Sequence, residues 1–334
     1  MRFGLRLIQW HGDPNRLIDL AVLAEREGFD QVWFPHDPFM LNTWALTAAV
    51  AARTEQIVIG SIATNPYTTD PSEIATYLAT LDHLSHGRAT VGIGLHTDAM
   101  VGWTGHDASD RLERTRVTVE LVRRLLRGET VSGEFGPFRW SDECFLRFEP
   151  LRPDPPIYVA PYEREYLELS GEIGDGSMPM ITPPQSAAAM AAPILEGARR
   201  AGRDPGEVDI AGCGWLSISR EATAAERILR PMAAYFGPYL EEHALATIGL
   251  SRADFAHLKE LVDAGDLAAA SAAVTDRMFR LAIVGTPRDV VARIEALADA
   301  GITQANLGGP LGPDPEEAIR LMGRDVIPHF REGG

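Results

Sequence analysis

Eight times along this chain a short apolar run, rich in β-branched and aromatic residues, gives way to an amphipathic stretch. The runs fall at 3–8, 31–34, 57–60, 90–94, 157–160, 177–181, 208–217 and 303–307. A run that is apolar throughout, rather than at alternate positions, suits a strand covered on both faces, as in a parallel sheet. The stretches between them have helical spacing. From Asn15 to Glu27, Leu17, Ile18, Ala21, Val22 and Leu23 fall on one face, and Gly28 follows in the C-cap position. Similar glycine stops recur at Gly128, Gly202 and Gly301. Eight strand–helix units without a break in composition predict an α/β fold, a single (β/α)8 TIM barrel occupying 1–334, over a doubly wound sheet with a second domain. Two segments depart from the rhythm. Residues 128–150 read as a β-hairpin excursion, and 221–278 as an Ala-rich helical insertion before the last unit, both placed to roof an active site.

The charge balance narrows the function. The chain carries 31 Lys and Arg against 47 Asp and Glu, a net charge of -16, which repels a phosphate backbone; no nucleic-acid partner is expected. Lys259 is the single lysine, so any anion must be held by arginine or by backbone amides. The two cysteines, Cys144 and Cys213, make neither a disulfide framework nor a zinc site. With no long apolar leader in MRFGLRLIQW and no run of membrane-spanning length, a cytoplasmic chain with no membrane association is expected.

Familiar catalytic signatures are missing. The Gly92-Ile93-Gly94 triplet lacks the third glycine of a dinucleotide fingerprint, and no P-loop, HExxH or GxSxG motif occurs. In a barrel the chemistry gathers where the strands end. Those positions hold His36 and Asp37 after the second run, Ser61 to Asn65 at the third, and His96, Thr97 and Asp98 after the fourth. A histidine beside a carboxylate suits proton transfer near neutral pH, and equally suits a loop anchor. Two histidines with two carboxylates also form a possible metal set, but their spacing fixes no ligand geometry, and no metal is assigned. Trp10, Phe39 and Trp44 offer an aromatic lining for a substrate pocket, or packing beneath loops.

Five segments carry a resemblance: GFDQVWFPHD, IVIGSIATNPYTTDPSEIA, LDHLSHGRATVGIG, YLELSGEIGDG and IVGTPRDVVARIEALADAGI. They resemble the bacterial luciferase-like superfamily and, within it, the deazaflavin branch that includes methylenetetrahydromethanopterin reductase. The likeness runs from residue 1 to about 128, then over 156–176 and 283–307. It implies a barrel that binds coenzyme F-420, an 8-hydroxy-5-deazaflavin, with FMN as the alternative. It also implies a bulged third strand with a non-prolyl cis peptide at Ser61-Ile62 behind the ring, so that Ser61, Ile62, Ala63, Thr64 and Asn65 bind cofactor. Thr97 and Asp98 join that set, and the loop Ala160, Pro161, Tyr162 and Glu163 receives the phosphate.

The chain departs from its relatives in three places. His36-Asp37 reverses the usual Asp-His order; the phosphate loop lacks glycine, Pro161 having no amide to donate; and Leu5-Arg6-Leu7 stands where the family has a glutamate. The implied activity is hydride transfer between reduced F-420 and an electron-poor C=C, C=N or C=O of a small-molecule substrate, with His36 as proton donor, Asp37 adjusting it, and His96 or Asp98 in reserve. The alternative is a two-component FMN-dependent monooxygenase; a silent flavin-binding barrel is a third reading. The resemblance implies a homodimer through the early helices, and 42–52 (NTWALTAAVAA) agrees with it, being apolar over more of its circumference than a solvent-facing helix should be.

Overall fold

The computed structural model describes residues 1–8, 12–95, 98–179, 181–240 and 242–331, with the side chains of Asp98, Ala99, His243 and Ala244 outside that description. Eight strands form the barrel: β1 Arg2–Arg6, β2 Gln31–Phe34, β3 Val58–Thr64, β4 Ala89–Gly94, β5 Ile157–Ala160, β6 Gly176–Ser177, β7 Asp209–Ile218 and β8 Gln304–Leu311. Each pairs in parallel with the next, and β8 returns to β1, so the sheet closes on itself. Helices α1 Pro14–Arg26, α2 Thr43–Ala51, α3 Pro71–Ser85, α4 Asp98–Trp103, α5 Arg111–Leu126, α6 Arg164–Ile173 and α7 Ala187–Arg200 follow the strands. Their starts are written into the sequence. The side chains of Asp13, Asn42 and Asp70 accept hydrogen bonds from first-turn amides, and Pro14 and Pro71 sit where no amide is needed.

Alternation along the strands sorts side chains into two cores. Phe3, Leu5, Val32, Phe34, Ile59, Val91, Ile93, Ile157, Val159 and Leu307 point outward and pack beneath the helices. Trp33, Ile62, Ala63, Tyr158, Ala160, Met178, Ala211 and Cys213 fill the lumen. The lumen is filled by fitting large side chains over glycines on neighbouring strands. A Cβ on Gly60 would lie 2.5 Å from the Trp33 ring, one on Gly92 2.5 Å from Ile62, and one on Gly176 2.2 Å from Tyr158. Below them, at the N-terminal end, Asp209 accepts from the Tyr158 hydroxyl at 2.5 Å and from Gln304 Nε2 at 3.4 Å, and pairs with Arg2 at 2.6 Å. Tyr158 in turn accepts from Gln31 Nε2 at 3.4 Å. That polar floor closes one end, leaving the C-terminal end for ligands.

Two strands run past their expected ends. β3 continues beyond Gly60 to Thr64, and β8 beyond Leu307 to Leu311, each through a register shift against a neighbour. The non-prolyl cis peptide is at Ile62-Ala63, one bond later than the expected Ser61-Ile62. Ser61 is still in register with Val91, so the chain breaks from the ladder only after it. A second cis bond, Gly309-Pro310, marks the β8 shift.

Gly133–Phe135 and Phe138–Trp140 pair as an antiparallel hairpin. Between β7 and β8 come helices Ala222–Phe236, Glu242–Thr247, Ala256–Asp263 and Leu267–Ala273, gathered on a separate cluster that includes Trp215, Leu229, Leu245, Phe255 and Phe279. A strand that the sequence reading omitted, Ala282–Gly285, closes this segment and pairs with β7 from Trp215 to Ile218. On α2, Ala45 is exposed while Leu46, Thr47 and Val50 are buried. Among the described residues no helix is long and apolar enough to cross a membrane.

The lumen fit predicts an asymmetry between glycines. Gly60→Ala forces the Trp33 ring and Thr90 Cγ2 to move and is expected to cost ~1–3 kcal/mol, the usual range for overpacking. Gly102→Ala, in α4 with nothing within 4 Å of its would-be Cβ, should be neutral or slightly stabilising. Urea midpoints for the two variants check this; equal midpoints would refute the lumen argument.

Candidate active site

The loop after β2 is tied down before it presents any chemistry. Thr43 Oγ1 donates to the Pro35 carbonyl, and Asn42 caps α2 through Ala45 N at 2.9 Å. The His36 imidazole then stacks on the Trp44 indole, ring centres 5.5 Å apart and planes 21° apart, and Trp44 stacks on Tyr77 of α3 at 4.8 Å and 13°. Trp44 Nε1 is buried without an acceptor among the described residues. The Tyr77 hydroxyl is 2.9 Å from Thr47 Oγ1, and burial pushes its phenol up to about 12 against the opposing pull of hydrogen bonds with Thr47 and Ser61. Asp37 adjoins His36 in the same half-buried loop.

The β3 end divides its five expected cofactor residues between two faces. Ser61 and Thr64, both fully buried, share a 2.8 Å hydrogen bond, and Ser61 also meets Tyr77, so these hydroxyls brace the bulge. Ile62 and Ala63 turn into the lumen, Ile62 lying on Gly92. Asn65 is buried, and its side-chain oxygen takes the Tyr67 amide at 2.9 Å, starting the turn into α3. Beyond it lies a cluster that sequence reading missed. The Tyr67 hydroxyl donates to Asp110, Arg114 pairs with Asp110 at 3.0 Å, and the Arg114 guanidinium lies 4.3 Å from the Tyr67 ring centre and 5.5 Å from that of Phe138 in the hairpin. Burial lifts the Asp110 carboxyl, but hydrogen bonds from Arg114 and Tyr67 outweigh it and hold the group below its ordinary value.

Gly94, at φ +158, lets the ends of β4 and β5 touch, since a Cβ there would be 2.8 Å from the Ala160 carbonyl. Ala160 and Pro161 are buried, and Tyr162 and Glu163 half-buried, leading into α6, of which Glu163 is the N-cap. Glu163 takes Arg111 Nη2 at 2.6 Å, and Arg111 also lies 5.9 Å from the Tyr162 ring centre. Arg164 is engaged elsewhere, with Glu168 at 3.1 Å and Glu196 at 3.6 Å.

Phe39, expected to line the substrate pocket, instead stands 85% exposed at φ 65, because the short loop into α2 turns its ring outward. Trp10, His96 and Thr97 lie outside the described residues. The Asp98 backbone opens α4, and its side chain is likewise outside them. Arg6, at the C-terminal end of β1, is 8% exposed and donates to Cys213 Sγ. The signal was available: in Leu5-Arg6-Leu7, with both leucines outward, alternation turns the arginine inward. No cluster of three metal-ligating side chains occurs among the described residues.

A closed parallel barrel, ligandable at its C-terminal mouth and carrying a bulged third strand, defines the class in outline. Residues 1–304 match the family described as luciferase-like monooxygenase, and the chain belongs to it. Within that family it is 32% identical over 332 residues to 5,10-methylenetetrahydromethanopterin reductase of Methanolobus tindarius, covering 98% of this chain and 100% of that one. It is 26% identical to an F-420-dependent glucose-6-phosphate dehydrogenase of Microbacterium testaceum, over 99% of this chain and 98% of the relative. Among solved structures, the coenzyme F-420-dependent tetrahydromethanopterin reductase of Methanopyrus kandleri superposes with a TM-score of 0.93 at 28% identity, over 98% of this chain and 99% of that chain.

The Tyr67–Asp110–Arg114 cluster has a pH signature. A carboxyl held below its ordinary pKa adds stability above the unfolded value, and that stability is lost as pH falls through the folded one. Asp110→Asn should therefore be less stable than the parent at neutral pH, with the gap narrowing below about pH 4. Urea unfolding of both at neutral and acid pH checks it, and a gap independent of pH would refute it.

Proposed function

We propose that this chain is a coenzyme F-420-dependent oxidoreductase, moving a hydride between the deazaflavin and an electron-poor C=C, C=N or C=O carbon of a small organic molecule. The observation that carries the reading is its whole-length likeness to the Methanopyrus kandleri reductase, at a TM-score of 0.93. The mouth residues fit a planar, partly polar group. Ile62, Ala63 and Ala160 give a buried apolar surface beside the bulge, and the buried Trp44 Nε1 is a donor still in need of an acceptor. When bound, the deazaflavin supplies the hydride at C5, so the protein's work is to orient two partners and handle one proton.

That proton belongs to His36, stacked on Trp44, with Asp37 beside it in the same loop. The cofactor phosphate falls to the backbone amides that open α6 after Glu163, a helix start being a ready anion site. Pro161 contributes no amide. The Arg111 pair draws the Glu163 carboxylate's charge away from that anion.

F-420 is expected to bind at least tenfold more tightly than FMN, about 1.4 kcal/mol, and turnover with reduced F-420 should proceed under nitrogen at its aerobic rate. Fluorescence titration with each cofactor tests the first point; equal affinities, or a need for oxygen, would favour the FMN-dependent monooxygenase. His36→Ala should lower kcat by ~10²–10⁴ and remove the limb of the pH profile near the imidazole pKa, with cofactor affinity little changed. A loss of thermal stability with kcat kept within about threefold would make His36 a loop anchor only.

A further inference from the structure

Arg6 is a cation in the wrong company for a structural residue. It is 8% exposed, at the C-terminal end of β1, with its Nε and Nη2 lying over Gly308, where a Cβ would come within 2.7 Å and 2.8 Å of them. Among the described residues its hydrogen-bond partner is the Cys213 thiol, and no carboxylate is within ion-pairing distance of it. Burial pushes the Cys213 thiol up, against the pull of Arg6, so the sulfur stays neutral and supplies no countercharge. The contrast with its neighbours is sharp. Arg2 pairs with Asp209 at 2.6 Å, Arg111 with Glu163 at 2.6 Å, Arg114 with Asp110 at 3.0 Å. A buried ion without a partner costs several kcal/mol, and a chain with 47 acidic residues has no shortage of partners to offer.

Arg6 also lines a cavity of about 440 Å³ at the C-terminal ends of β1 and β8, against α1, together with Leu7, Ile8, Leu17, Met232, Pro310 and Arg16. Arg16 is exposed and makes no ion pair among the described residues. The acid lining the cavity, Asp13, is occupied in capping α1, accepting from Asn15 N at 2.9 Å. Apolar walls with two arginines among them suit a small anion with an apolar body.

We propose that Arg6 is the specificity residue of this mouth, and that the hydride partner of the cofactor is a small organic carboxylate whose anionic end lies on its guanidinium. This rests on the oxidoreductase reading for the carboxylate's role, though not for its binding. The fork of a guanidinium matches the two oxygens of a carboxylate, and closing that contact gives the buried cation the countercharge that no described residue supplies.

The test uses benzoate and its neutral isostere benzamide, titrated calorimetrically at constant ionic strength into the full-length protein with and without bound F-420. Benzoate is expected to bind at least tenfold more tightly than benzamide. Arg6→Met should abolish that preference, and Arg6→Lys should keep part of it, while F-420 affinity stays within about threefold in both. Equal binding of the two probes to the parent protein would overturn the proposal without any variant. So would a preference that survives in Arg6→Met, or a tenfold loss of F-420 affinity there, since the arginine would then serve the cofactor's own acidic groups. Inorganic phosphate binding as tightly as benzoate would likewise overturn the carboxylate assignment. Failure of F-420 to bind would count against the oxidoreductase reading alone, because the benzoate preference is also measured on the chain by itself.

Discussion

The interior of this barrel has room for only so many large side chains, and everything at its mouth follows from how that room is shared. Trp33 lies over Gly60, Ile62 over Gly92, Tyr158 over Gly176 and Arg6 over Gly308, each large group on one strand meeting a missing side chain on another. Close packing of this kind leaves little freedom for a residue to shift by even a methyl group. Ile62 reaches Gly92 from beside the register shift in β3, so the bulge, the lumen packing and the platform at the mouth form one arrangement. Beneath, the hydrogen bonds around Asp209 seal the other end.

Most of the architecture was legible because it rests on periodicity. Runs apolar throughout mark strands covered on both faces, and all eight expected runs became barrel strands, two of them, Gln31–Phe34 and Ile157–Ala160, at the expected limits. What periodicity cannot show is where a strand leaves its ladder. Gly60 and Leu307 read as stops, yet both strands continue through shifted registers that depend on neighbours distant in sequence. Ala282–Gly285 escaped notice because four residues after a helical segment carry too little alternation to stand out. At the site, His36 and its loop could be picked from position alone, but its stacking on Trp44 required α2 to be in place. The Tyr67–Asp110 contact joins residues 43 apart and left no local trace.

The chain carries -16 overall, yet Arg6 and Arg16 line one cavity, while Arg111 and Arg114 hold Glu163 and Asp110. Two of these have carboxylate partners, which fixes loops; the Arg6 guanidinium has a thiol. Since the overall negative field fades within about 8 Å at physiological salt, an anion that has entered the mouth responds to the nearby guanidinium rather than to the distant acidic surface. Salt therefore eases the approach of an anion and leaves the buried contact largely untouched.

Strand β7 belongs to two bodies of side chains at once. Ala211 and Cys213 face the lumen, whereas Trp215 enters the cluster that holds the helices between β7 and β8, and the same strand end pairs with Ala282–Gly285. The helical segment is thus rooted in the same strand that holds the Arg6 guanidinium through Cys213, so the lumen cation and the helices outside the barrel are anchored to one length of backbone.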